Sequence, residues 1–139
     1  MLADNIAERL PVISFYIDGM HYNLGVRLLN DKFGIQVRGG CSCAGTYGHY
    51  LLHVSKNRSH KITQMIEHHD LSEKPGWVRL SLHPVMTDEE IDTILNAIEE
   101  LSKNFRSWAE DYIYDAHENM FIHKTNPQFE KIVVEKWFE

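Results

Sequence analysis

The stretch Pro75-Gly76-Trp77-Val78-Arg79-Leu80-Ser81-Leu82 decides the fold. From Trp77 onward its side chains alternate, with Val78, Leu80 and Leu82 on one face and Trp77, Arg79 and Ser81 on the other, the period of a half-buried strand. Arg79 therefore points away from the oily side. Five residues after Leu82, Thr87-Asp88-Glu89-Glu90 has the spacing of a helix-starting capping box, and Ile91, Ile94, Leu95, Ile98 and Leu101 continue it as an apolar stripe. Upstream, Pro11 to Asp18 alternates again with Ile13, Phe15 and Ile17 on one side, and Gly19 ends that strand. A helix follows from about Asn23, with Leu24/Leu28 and Leu29/Phe33 as i,i+4 pairs and Gly34 as the stop. Ile35 to Arg38 reads as a second short strand. Strand, helix, strand, loop, strand, helix is the order of an α+β domain, a small sheet with helices packed on one face.

The remaining segments are of other kinds. Residues 45–76 are bracketed by Gly45, Gly48, Pro75 and Gly76 and rich in histidine; they read as a long polar surface excursion in which Thr63 to His69 form a turn or two of helix. Residues 105–139 carry Trp108, Tyr112, Tyr114, Phe121, Phe129, Trp137 and Phe138, too many aromatic residues for a free linker, so this extension packs on something.

At 139 residues the chain is expected to be a single domain, large enough to hold its own core. Fourteen Lys and Arg against 20 Asp and Glu leave a net charge of −6, with the basic residues scattered, which argues against binding nucleic acid. No apolar run approaches the roughly 20 residues of a membrane helix, and no secretory signal follows Met1. The two cysteines, Cys41 and Cys43, are too close in sequence to staple distant parts of a fold. Together these features point to a reducing, cytoplasmic setting.

The densest unusual feature is Arg38-Gly39-Gly40-Cys41-Ser42-Cys43-Ala44-Gly45, immediately after a strand. Glycines let the backbone turn sharply and approach a ligand, and a thiol near a guanidinium tends toward the nucleophilic thiolate. The same residues also fit a tight turn holding two small, half-buried thiols. Histidines at 49, 53, 60, 68 and 69 raise the question of a metal, but Cys-x-Cys is tighter than the usual zinc spacing, and no metal ligand is assigned.

Gly34 to Ala44 resembles the Arg-x-Gly-x-x-Cys-Ala segment of the cysteine desulfurases and selenocysteine lyases in the class V aminotransferase family, with Cys43 on the family's cysteine. Pro75 to Leu82, followed by Thr87 to Ile91, is similar to that family's later strand and final helix. The resemblance covers residues 10–104. It implies the C-terminal small domain of a fold-type I enzyme dependent on pyridoxal phosphate. Arg79 would hold the substrate carboxylate, Arg38 would lie beside the same pocket, and Cys43 would be the catalytic thiol. It further implies an amino-acid substrate, a homodimeric parent enzyme, and a separate N-terminal domain carrying the cofactor lysine. Ser59-His60-Lys61 mimics the lysine motif but lies after the cysteine loop, so Lys61 is expected to be a solvated lysine. No cofactor is expected bound to this chain alone. Ser42 stands where the matching desulfurases carry His, and residues 45–76 exceed the corresponding family segment. The alternative reading is a self-sufficient, non-enzymatic α+β domain binding a protein partner or metal through residues 45–76 and the aromatic tail.

Overall fold

The computed structural model describes residues 2, 8, 10–41, 45–125 and 134–137, with residues 45 and 46 described by backbone alone. Cys43, Phe129 and Phe138 lie outside the described residues. Strands β1 (Val12–Phe15), β2 (Arg38–Gly40) and β3 (Trp77–Ser81) form an antiparallel sheet in the order β1-β3-β2. The central strand is thus the last of the three in sequence. Its register sets Val12 against Ser81 and Phe15 against Val78 on one side, and Arg38 against Arg79 and Gly40 against Trp77 on the other.

Helix α1 (Tyr22–Phe33) covers one face. His21 caps it by accepting the Asn23 backbone N–H on Nδ1 at 3.2 Å. Gly34 stops it in a left-handed conformation with φ 67°, where a side chain would be strained. Leu24, Leu28 and Leu29 form the buried stripe of α1. Beside it runs α4 (Asp88–Ala109), whose capping box is closed by Thr87 N–H to Glu90 Oε2 at 2.9 Å and Glu90 N–H to Thr87 Oγ1 at 3.3 Å. Ile94, Ala97, Leu101 and Phe105 recur every three or four residues along its buried face and meet Leu28, Val78 and Leu80 in one core. Burying a leucine or valine such as Leu28 or Val78, both without exposed surface, stabilises the fold by about 1.5–3 kcal/mol per side chain. Leu95, expected in the stripe, is 54% exposed and lies outside that core.

The expected second strand begins later than Ile35. Val37 instead packs against the core as loop, and β2 opens at Arg38. Residues 45–76 are more regular than a surface excursion, comprising α2 (Gly45–Leu51) and α3 (Lys56–Glu67), the latter capped by Ser55. Ile62 of α3 and Trp77 are buried yet stand apart from the main core. A Cβ on Gly48 of α2 would meet Trp77 Cζ3 at 3.2 Å, so α2 closes over the sheet at this corner.

The aromatic extension supplies a second sheet, the hairpin β4 (Tyr112–Asp115) and β5 (Met120–His123). It docks on α1, burying Tyr112 and packing Phe121 against the core. Trp137 is 73% exposed. No described helix is long and apolar enough to cross a membrane.

Candidate functional site

The sheet's register brings together two arginines, on β2 and β3, that the sequence separates by α2 and α3. Arg79, flanked by the core residues Val78 and Leu80, is turned to the opposite side of β3 by the pleat. Arg38 is its direct partner on β2 and Ser14 its direct partner on β1, so the three residues make one row across the sheet. Directly opposed side chains in such a ladder stand about 5 Å apart at Cβ, and like charges there repel. Neither guanidinium forms an ion pair among the described residues, and Nε of Arg79 is buried without a hydrogen-bond partner. A buried donor left unsatisfied costs about 1–3 kcal/mol. An anion bridging the two guanidinium groups removes both costs at once.

Beyond Arg38 the chain runs through Gly39 and Gly40 to Cys41, a half-buried free thiol. Gly39 lies so close to α1 that a Cβ there would approach Asn23 Oδ1 and Val26 Cγ2 to 2.8 Å, and Gly40 has φ 113°. The glycine pair is thereby explained by packing against α1 and by backbone conformation. Arg38, Cys41, Lys74 and Asn119 line a polar pocket of about 220 Å³ together with Tyr22 and Asn23. Burial pushes the Tyr22 phenol above its ordinary pKa; the hydrogen bond from Asn119 acts downward, and the charge of a Cys41 thiolate acts upward. Cys43, with Ser42 and Ala44, lies outside the described residues.

The histidines of residues 45–76 are dispersed. His49 Nδ1 meets Ser59 Oγ at 2.9 Å, tying α2 to α3, and His69 lies against His117 with ring centroids 5.4 Å apart. Among the described residues no three His, Cys, Asp or Glu side chains gather as a metal site. Among the described residues, neither Lys61 nor the polar pocket of Lys74 and Arg38 fits a pyridoxal phosphate holder. Lys61 is exposed on α3, and the pocket that Lys74 shares with Arg38 and Cys41 has no carboxylate in its lining to pair with a pyridine nitrogen; Glu73, which stands beside Lys74 in a neighbouring pocket, pairs with Arg58 at 3.3 Å. Sequence reasoning missed Tyr22, Lys74 and Asn119, which carry no motif and meet only through the fold. The family model described as aminotransferase class-V matches residues 1–94 of the chain. No curated protein and no solved structure matches it.

Proposed function

The chain belongs to the class V aminotransferase family, and from that premise we propose that it is the substrate-recognising small domain of a pyridoxal phosphate enzyme acting on an amino acid. The observation that carries this reading is the direct opposition of Arg38 and Arg79, with Arg79 Nε buried and unpartnered. Two guanidinium groups in one row form a receptor for a carboxylate, because each presents parallel N–H donors in the plane a carboxylate requires. Pyridoxal phosphate, held by another part of the enzyme, would supply an electron sink for the amino acid.

Cys43 is the proposed nucleophile toward a substrate sulfur, which places the enzyme among the cysteine desulfurase or selenocysteine lyase type. The Arg38-Gly39-Gly40 run supports this, because in the sequence it joins the arginine of the carboxylate row to Cys41 and Cys43. Cys41, two residues before it, shares the pocket lined by Arg38 and Lys74.

The test is a titration of the chain with L-alanine and with L-alaninamide, followed by NMR at the arginine Nε–H resonances. The carboxylate ligand is expected to shift Arg79 and Arg38, the amide that lacks the carboxylate is not, and Arg79→Lys is expected to weaken binding at least tenfold. Equal responses to the two ligands, or none, overturn the reading.

A further inference from the structure

The backbone leading to Cys41 lies against one aromatic ring. A Cβ on Gly39 would stand 3.0 Å from Cδ2 of Tyr22, and one on Gly76 would stand 2.6 Å from Cδ1 and Cε1 on its other edge and 2.9 Å from the Gly40 Cα. Neither glycine could carry a side chain without displacing the ring, so the Tyr22 ring lies directly against the backbone at the end of β2 and at the approach to β3. It is 6% exposed. Ring and backbone therefore set one another's position.

The far end of that ring is held from a distant part of the chain. Asn119, in the β4–β5 turn with φ 54°, donates from Nδ2 to the Tyr22 hydroxyl at 2.7 Å. Its Oδ1 accepts from the Tyr114 hydroxyl at 2.9 Å, and its backbone carbonyl accepts from the Asn23 side-chain amide. Asn119 is thus tied at three points, and it lines the same pocket as Arg38 and Cys41. It also lies beyond residue 94, where the family match ends.

We propose that Asn119 is a positioning residue for the segment Gly39-Gly40-Cys41. By holding the Tyr22 hydroxyl it sets where the ring lies, and the ring sets the path of Gly39, Gly40 and Cys41. The hairpin is then a part of the site and not only an appendage to the core. The inference rests on the proposed function for the importance of this segment; the positioning itself does not depend on Arg79 or on any cofactor.

The experiment measures the rate of Cys41 alkylation by iodoacetamide in the full chain between pH 6.5 and 9, read by peptide mass spectrometry. Only the thiolate reacts, so the rate and its pH profile report the thiol's surroundings as well as its access. Asn119→Ala and Tyr22→Phe are each expected to change the rate at least fivefold. The double variant is expected to match the single variants, because both remove one link. Tyr112→Phe, which loosens the root of the hairpin without touching Asn119, is expected to leave the rate within twofold of the parent. Rates within twofold of the parent in both single variants overturn the proposal, as do multiplying effects in the double variant or an equal response to Tyr112→Phe. If circular dichroism shows Asn119→Ala to be unfolded, Tyr22→Phe measured against Tyr112→Phe decides in the same way. A failed alanine titration would overturn the carboxylate reading and leave this result standing.

Discussion

Asp31 on α1 accepts a hydrogen bond from the Tyr112 hydroxyl of β4 at 2.8 Å, joining residues 81 positions apart in the chain. The same carboxylate pairs with Arg27 at 2.7 Å and accepts from Asn30 at 3.0 Å. Burial pushes the Asp31 carboxyl up, but the hydrogen bonds from Asn30 and Tyr112 and the Arg27 contact outweigh it, leaving its pKa below the ordinary value. Tyr112→Phe is expected to destabilise the protein by about 1.5 kcal/mol in urea unfolding at pH 7. The sign with pH follows from the lowered folded-state pKa: the contribution is present above the unfolded carboxyl pKa of about 4 and is lost as pH falls through the lower folded value. Parent and variant should therefore converge in strongly acidic solution.

His21 behaves in the same sense at a higher pH. Its Nδ1 is committed as acceptor at the start of α1, its Nε2 is buried without a partner, and the rings of Tyr22, Tyr114 and Phe121 surround it. Burial lowers its pKa, so the folded state favours neutral imidazole. Its contribution is complete above the unfolded pKa of about 6.5 and is lost as pH falls through the lower folded value. His21→Asn keeps a capping acceptor but cannot titrate. Melting curves from pH 8 to pH 5 are expected to show a steeper fall for the parent than for this variant; parallel curves would disprove the assignment.

Thr87→Ala removes the hydroxyl half of the α4 capping box. A loss of about 1 kcal/mol is expected by chemical denaturation, and restoring the cap with Ser should recover most of it.

Gly39→Ala puts a methyl group 2.8 Å from atoms of Asn23 and Val26. One is a side-chain oxygen and the other a branched carbon on a packed helix, so both resist moving. A destabilisation of about 1–3 kcal/mol is expected from thermal unfolding.

Arg79→Met is expected to leave stability unchanged or raise it by about 0.5 kcal/mol, since it removes a like-charge cross-strand pair and an orphaned donor. The same change should abolish the response to alanine. A loss above about 1 kcal/mol without effect on ligand response would mark Arg79 as structural, and the measurement is urea unfolding beside the NMR titration.

Local signals carried much of the fold. The Val78, Leu80 and Leu82 alternation, the Thr87 capping box and the Gly34 stop each depend on neighbours within a few residues, and each appears in the structure. Helices α2 and α3 were hard to see because their burial is slight, with Ile62 the buried residue of α3 and a polar, histidine-rich remainder. The pleat told which side Trp77 faces but not that α2 would cover it. At the candidate site, Arg79's direction was legible from alternation, whereas its pairing with Arg38 depends on strand register. Asn119 was invisible for a similar reason. Its partner Tyr22 lies 97 positions away, and nothing local to a hairpin turn announces such a contact.

The placement of β3 at the centre of the sheet bears on the order in which the protein assembles as it is synthesised. β1 and β2 emerge first but pair with β3, so neither has its sheet partner until residues 77–81 follow. Even then the Tyr22 hydroxyl and Asn23 amide await Asn119, and Asp31 awaits Tyr112. The nascent chain thus carries exposed strand edges until β3 follows, and open helix-face polar groups until the hairpin follows. Chains halted before residue 77, whose β1 and β2 still lack β3, should be the most readily captured by chaperones, and completion of β3 and then of the hairpin should release them.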